Sequence, residues 1–483
     1  MGPFALDRRS PTLILALILG AYLMIILDTS IVITALPSIH RSLHFSATGL
    51  SWVQNAYTLT FGGLLLLGAR AGDLLGRRRL FSIGIGLFTS ASIVGGLAPT
   101  AAVLLVARSV QGVGAAIAAP AALALLVSSF PEGRERTRAI GLYSAVAGAG
   151  GSLGLLLGGM LTEWASWRWG LFINAPVGAA LLWLGPRVLP ETPRRTGHFD
   201  LTGALTSTLG MTALVYGFVR AAADGWTDTL TFASFVTGAG LLALFIANER
   251  RATQPITPLR LFASRERSGA YLARALLVTG MFGMFFFLTQ FLQGALHFSP
   301  LQAGIAFLPT TAVMFATVQV VPRIASRIGE FPLLVFGVAT ALAGMAWLSR
   351  LSPSTHYFPQ LAIPMALLGL GIGTALIPLT ALGIRGVAPD DAGAASGLIN
   401  VSQQIGASLG LSILVTRFTA AADGQSGAVL KLAHGVAAAL TGSAVFLTIT
   451  LAVVLIALRS RRIIVPAVQL EPKLEEAPME VAA

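Results

Sequence analysis

Asp28 is the one carboxylate that falls deep inside any of the long apolar runs of this 483-residue chain. A charged side chain at the centre of a bilayer costs about 3 kcal/mol, so an acid there is functional unless it is paired for structure. Desolvation favours the neutral form of a carboxylate, which suits such a group to taking up and releasing a proton as its surroundings change. At 1.5 Å per residue, Asp28 lies about 24 Å from the start of its run, towards the outer side. Arg108 is also within a run, and an intramembrane arginine needs a partner or a water-filled cavity. Arg274 falls within another. Asp73 is different in kind. It sits in the polar turn Asp73-Leu-Leu-Gly76-Arg77-Arg78-Arg79, where an acid can cap the next helix or bridge to a neighbouring one.

A second set of residues suits contact with a ligand. Trp52, Gln54, Asn55 and Tyr57 share one run, as do Phe282, Phe285, Phe286, Gln290 and Gln293. Asn400, Gln403 and Gln404 fall on one face of a helix by their i, i+3, i+4 spacing. Aromatic walls with a few amides fit lipophilic ligands of variable shape. The competing reading is that amides hold membrane helices together.

The elements that position these residues are membrane helices. The chain is 55% hydrophobic and 11% charged, against roughly 25% charged in soluble domains. At about 20 apolar residues per span, fourteen spans are predicted, at 12–36, 48–69, 80–98, 102–126, 139–161, 170–189, 201–220, 230–248, 269–292, 303–322, 332–350, 360–382, 394–417 and 436–458. The first follows Arg8 and Arg9 as a signal peptide would. It is too long, lacks a small-x-small cleavage site, and is expected to be retained as a helix.

The formal charge of +12 is topological rather than a nucleic-acid footprint. With both termini inside, most of the 32 Lys+Arg are cytoplasmic, leaving Arg41, Arg168, Arg220, Arg350, Arg417 and Lys431 outside. That is the positive-inside rule, and it sets the expected orientation. Thirty arginines against two lysines, with abundant Ala and Gly, suggest a GC-rich bacterial genome, and the expected location is a bacterial plasma membrane. There are no cysteines, and neither Lys431 nor Lys473 ends a P-loop, so thiolate metal sites and ATP hydrolysis by that route are excluded. The six histidines lie in loops or at span ends without metal spacing, which argues against a membrane enzyme.

Ala139, Gly141, Leu142, Gly150, Ser152, Leu153, Gly154 and Leu155 recur as Ala395, Gly397, Leu398, Gly406, Ser408, Leu409, Gly410 and Leu411. This internal repeat makes span 5 equivalent to span 13. Two six-helix halves would pair span 5 with span 11, so two extra helices are expected between them. The predicted fold class is an all-α membrane protein with 14 transmembrane helices: two six-helix pseudo-symmetric bundles, 12–189 and 269–458, with two inserted helices at 201–248. Residues 459–483 are expected to be a disordered cytoplasmic tail. Transporters with parallel repeats bind substrate at the repeat interface and alternate access by rocking the halves.

Several segments carry a resemblance. Leu27-Asp28-Thr29-Ser30-Ile31-Val32 is followed by Ala35-Leu36-Pro37, and the Asp73–Arg79 turn follows the second span. Leu104 to Ala116 carries Arg108, Gln111, Gly112 and Gly114; Trp167-Arg168-Trp169 precedes Phe172, Asn174, Pro176 and Gly178. Together these resemble the fourteen-helix drug:proton antiporters of the major facilitator superfamily, over about residues 12 to 458. The family's fifth-helix antiporter motif is met by Gly150, Gly154, Gly158 and Gly159, with Leu155 in place of its proline. Ala69 replaces the opening glycine of the loop motif.

The resemblance implies proton coupling through Asp28 and Arg108. It implies a conformational switch at Asp73, Gly76, Arg77 and the glycines Gly150, Gly154 and Gly158. Substrate contacts are expected at Trp52, Asn55, Tyr57, Gln111, Phe286, Gln290, Gln293, Asn400 and Gln404. The expected function is proton-coupled efflux of lipophilic or amphipathic small molecules such as antibiotics, by a monomer whose partners are substrate, protons and the lipid bilayer. No cofactor, metal or nucleic acid is expected. The alternatives are a proton-coupled nutrient symporter or uniporter, which the missing proline favours slightly, and an exporter of an endogenous lipid or siderophore.

Overall fold

The computed structural model describes residues 10–46, 48–131, 133–191, 200–252, 255–388 and 391–458. The expected tail at 459–483 and the arginine pairs Arg8-Arg9 and Arg194-Arg195 lie outside the described residues. Within them the chain is helical: α1 (Pro11–Leu43), α2 (Trp52–Leu75), α3 (Arg77–Gly96), α4 (Ala101–Ser129), α5 (Arg134–Trp164), α6 (Trp169–Phe172), α7 (Asn174–Val188) and α8 (Leu201–Asp224). Then follow α9 (Thr229–Arg251), α10 (Arg265–Gly294), α11 (Pro300–Ala306), α12 (Leu308–Ile328), α13 (Glu330–Leu348), α14 (Ala362–Ile384), α15 (Ala392–Ala422) and α16 (Ala428–Ala457).

Among the described residues, thirteen helical stretches are long and apolar enough to cross a membrane, with α6–α7 and α11–α12 each counted as one. The span expected at 139–161 falls in α5, a 31-residue helix outside those thirteen. Several helices run past their apolar stretches. Pro37 ends the first predicted span, yet α1 continues through it to Leu43. Hydroxyls inside α1 bond its own backbone: Thr29 Oγ1 donates to the Ile26 carbonyl at 2.7 Å and Thr34 Oγ1 to that of Ile31 at 3.1 Å. In hydrocarbon every polar group must find such an internal partner.

The apolar residues also face outward. Among its described residues α9 buries Thr231, Gly238 and Glu249, and it exposes Leu230, Phe232, Val236, Leu244 and Ile246. Such a surface belongs against lipid.

Packing sorts the helices. In the first part, α1 lies on α4, α5 and α7, while α4 sits between α2 and α3. In the later part, α10 lies on α14, α15 and α16, while α14 sits between α12 and α13. The α8–α9 pair rests on α2 and α15. The two parts meet where α2 touches α15, α5 touches α11 and α12, and α1 touches α10.

Glycines make these contacts close, as is usual where there is no hydrophobic force between helices in lipid. A Cβ at Gly154 would lie 2.0 Å from Ser30 Oγ, and one at Gly158 2.4 Å from Thr34 Oγ1, so α5 seats directly on α1. In the repeated segment, a Cβ at Gly406 would lie 2.1 Å from the Ala275 carbonyl and one at Gly410 2.2 Å from Thr279 Oγ1. The recurring sequence therefore builds the same kind of seat twice, α5 on α1 and α15 on α10.

Candidate functional site: a buried ion pair among five helices

Asp28 and Arg108, both fully buried, form an ion pair. The guanidinium is fixed from three further sides. Its Nε donates to the Val53 carbonyl at 3.0 Å, Nη1 to Gln111 Oε1 at 3.0 Å, and Nη2 to Gln54 Oε1 at 3.4 Å. It also stacks over the Tyr57 ring, 4.6 Å from the centroid. The carboxylate is equally held. Asp28 Oδ1 accepts from Gln111 Nε2 and from Asn174 Nδ2, both at 2.9 Å. The same two amides donate to Ser92 Oγ, at 2.7 and 3.2 Å. The network thus joins α1, α2, α3, α4 and α7.

Local sequence explains how these side chains converge. Arg108 and Gln111 stand just before Gly112, where a Cβ would lie 2.5 Å from the Tyr57 carbonyl, so α4 is pressed onto α2. Gly114, whose Cβ would lie 2.6 Å from the Phe88 nitrogen, presses α4 onto α3 and brings Ser92 to Gln111. Asn174 stands one turn before Gly178, where a Cβ would meet Thr89 Oγ1 at 1.9 Å. Each polar group follows from a glycine that lets two backbones approach.

Such an arrangement can couple charge to shape. With Arg108, Gln111 and Asn174 all donating to the Asp28 carboxylate, a proton on Asp28 would remove the attraction that ties α1 to α4 and leave a buried guanidinium without its counter-charge. Removing one partner of a buried pair costs about 3–5 kcal/mol. Protonation therefore favours rearrangement of α1, and α1 between residues 26 and 34 is the surface on which the α5 glycines Gly150, Gly154 and Gly158 lie.

The other residues singled out in the sequence fall in several places. Tyr57 and Gln111 belong to the ion-pair network. Asn55 is buried and donates to Ser412 Oγ at 2.9 Å, while Gln404 packs against Gly62, both in the α2–α15 contact. Gln293 Nε2 donates to the Thr34 carbonyl at 2.9 Å, joining α10 to α1. Gln290 bonds the Phe286 carbonyl within α10, and Phe286 is buried edge-on to Phe287. Trp52 tilts against Tyr216 of α8, and Asn400 is exposed.

At the turn after α2, Asp73 Oδ1 accepts from Arg77 Nη2 at 2.9 Å and Nε at 3.2 Å. It does not cap α3, because Gly76 occupies the capping position at φ +101°. Arg77 reaches the Ala124 carbonyl of α4, and Arg78 pairs with Glu191 and bonds carbonyls at the end of α7. At the end of α12 the sequence Pro322-Arg-Ile-Ala-Ser326-Arg327-Ile-Gly329 is similar to this turn, with Ser326 where Asp73 stands, and nearby Arg385 binds both Glu266 and Glu330. Sequence spacing hid that cluster, since its acids come from two other helices. Sequence reading also missed Ser92, because a lone serine in a membrane helix carries no signal.

The chain is similar to known transport and resistance proteins. The puromycin resistance protein pur8 of Streptomyces alboniger is 45% identical over 413 residues, 84% of this chain and 82% of that one. The cephamycin export protein CmcT of Amycolatopsis lactamdurans is 39% identical over 446 residues, 91% of each. Among solved structures, a bacterial homolog of the human lysosomal transporter Spinster, in an inward-facing and unoccupied conformation, superposes with a TM-score of 0.67 at 17% identity, covering 93% of this chain and 97% of that one. A mutant of the nucleoside transporter NupG gives a TM-score of 0.66 at 13% identity, covering 91% and 99%; at such identities the likeness is one of fold. The sequence pattern described as Major Facilitator Superfamily matches residues 18–411, and the chain, a multi-pass membrane transporter and not an enzyme, belongs to that superfamily.

Proposed function

We propose that the protein exports lipophilic or amphipathic small molecules, antibiotics among them, in exchange for protons by alternating access. The observation that carries this reading is the fully buried Asp28–Arg108 pair, whose protonation would release α1 against the glycine face of α5. The names of relatives add support, since pur8 is called a resistance protein and CmcT an export protein. Fourteen spans, with α5 as the fourteenth, would form two six-helix bundles at 12–189 and 269–458, related as parallel repeats. The inserted pair at 201–248 would rest between them, and both termini would be cytoplasmic in a bacterial plasma membrane.

In the cycle, a proton from outside neutralises Asp28 and substrate leaves outward; loss of the proton inward restores the pair with Arg108. Asp73, Gly76 and Arg77 would hold the cytoplasmic ends of α2, α3 and α4 in one of the two states. The unit is expected to work as a monomer in lipid.

The test is efflux of a panel of cationic, neutral and anionic lipophilic dyes from preloaded cells, comparing wild type with Asp28→Asn, with and without a protonophore. Gradient-dependent efflux that vanishes in Asp28→Asn supports the reading. Efflux by Asp28→Asn at the wild-type rate moves coupling elsewhere, and net inward movement of dye replaces the exporter with the symporter or uniporter that Leu155 favours.

A further inference from the structure

Arg274 is the third charge within the spans, and it lacks what Arg108 has. Its Nη1 donates to Thr380 Oγ1 at 2.9 Å and to the Leu376 carbonyl at 3.2 Å; Nη2 donates to Gln403 Oε1 at 2.8 Å. All three acceptors are neutral, and no carboxylate pairs with Arg274 among the described residues. Its Nε is buried without a hydrogen-bond partner. Asp28 cannot serve, because Arg108 already takes it. The three intramembrane charges therefore sum to a net positive one, located at Arg274.

The place of Arg274 matters as much as its charge. It stands on α10, hydrogen-bonded to α14 and α15, and lies near enough to Tyr22 of α1 for electrostatic interaction. Tyr22 stacks on Tyr143 of α5, with ring centroids 3.8 Å apart and planes 10° from parallel. An uncompensated guanidinium on α10 thus lies near a flat aromatic pair contributed by α1 and α5. The side chain as a whole is partly exposed, while the unpartnered Nε is buried. A planar guanidinium with an unpartnered N–H matches a carboxylate, which can accept two parallel bonds from it, and aromatic rings nearby suit an aromatic body.

Resting on the transporter reading above, we infer that Arg274 is a substrate-contact residue that selects aromatic amphiphiles bearing a carboxylate over cationic ones. Gln403 and Thr380 position the guanidinium, and Tyr22 with Tyr143 forms the wall against which the ring system lies. A substrate carboxylate would supply the counter-charge that the protein withholds.

The experiment uses two dyes with the same tricyclic ring system, fluorescein as the anion and rhodamine 123 as the cation. Binding to the purified full chain in detergent is read by fluorescence polarisation, and export by wild-type cells is read separately. Wild type is expected to bind fluorescein at least tenfold more tightly than rhodamine 123. Arg274→Gln should bring that ratio to about one, and Arg274→Lys, which keeps the charge but not the paired donors, should keep only part of it. Gln403→Glu leaves Arg274 in place but puts a carboxylate where Oε1 now accepts from it, and should weaken fluorescein binding about tenfold. This variant keeps the test decisive if Arg274→Gln fails to fold. A wild-type preference for rhodamine 123, no binding of fluorescein, or an unchanged preference in Arg274→Gln or Gln403→Glu overturns the inference. Selective binding of fluorescein without its export upholds the charge selection and counts against the efflux reading alone. Export of fluorescein that ignores both substitutions does the reverse.

Discussion

The polar core around Asp28 has a counterpart built on the same glycine seats, with the chemistry removed. Ser30 sits under Gly154 as Thr279 sits under Gly410, and Thr34 meets Gly158 where Gly283 meets Leu414. On that register Asp28 matches Leu277. In the other helix pair, Gly114 lies on the Gly84 carbonyl as Gly371 lies on that of Gly337, which matches Arg108 with Met365 and Gln111 with Leu368. Leu277, Met365 and Leu368 are fully buried in the apolar core. One helix cluster therefore locks with an ion pair and the hydrogen bonds of two amides, the other with van der Waals contact. On the proposed reading a proton would open the first, whereas Leu277, Met365 and Leu368 offer nothing to titrate. The seats would then supply architecture and the occupants coupling, so that one part would switch while the other stays rigid.

The sharpest way to break this contrast is to exchange the occupants. Asp28→Leu alone should abolish proton-driven transport, at least a hundredfold, and destabilise the protein by about 3–5 kcal/mol through the orphaned Arg108. Leu277→Asp should destabilise by a comparable amount, since it buries an acid with no partner. The double variant Asp28→Leu with Arg108→Met recreates the apolar cluster. It should recover most of the lost stability in thermal unfolding while transport stays absent, because a buried pair exchanged for packed apolar groups is often neutral. A double variant as unstable as the single one would show that the seats are not equivalent.

The seats themselves come next in size. Gly154→Ala and Gly410→Ala each place a methyl group within about 2 Å of a hydroxyl oxygen, and overpacking of that kind costs about 1–3 kcal/mol. Both should lower the unfolding temperature by similar amounts, while Gly154→Ala alone should slow transport, by about tenfold. Equal transport defects in the two would remove the division of labour proposed here.

The smallest effect belongs to a partly exposed ion pair, in contrast to the buried one. In the α8–α9 turn, Asp228 accepts from Arg220 at 2.6 Å and caps α9. The arginine's hydrogen bond and the Thr231 amide hold its carboxyl down at about 2, from an ordinary 3.8. A depressed carboxyl stabilises the fold when ionised, so the contribution is whole above about pH 4 and is lost as the pH falls towards 2. Asp228→Asn should therefore leave transport unchanged, lower the unfolding temperature slightly at pH 7 and have almost no effect near pH 2, so that the acid-induced fall becomes a little smaller. An effect of the size expected for Asp28 would contradict the solvent screening of partly exposed pairs.

Much of the fold was legible because membrane helices announce themselves by uninterrupted apolar length, and the fold class follows from that alone. Asp28 and Arg108 were equally legible, as charges where charge is expensive. Their pairing was not, since the two stand 80 residues apart and only the packing of α1 on α4 brings them together. The amides were the hardest to place. Gln111 joins the ion pair, Asn55 joins α2 to α15, and Gln293 joins α1 to α10, yet all three read alike as polar residues in apolar runs.

By itself the sequence determined that the chain is a helical membrane protein, that its charges inside the spans are few, and that glycines recur at helix-contact spacing. These are local properties, fixed by residue type and by the absence of water in the bilayer. Only the tertiary structure decided that one arginine is neutralised while Arg274 is not, and that equal glycine seats carry an ion pair in one place and leucine and methionine in the other. Those outcomes depend on which helices touch, and no single span encodes its neighbour.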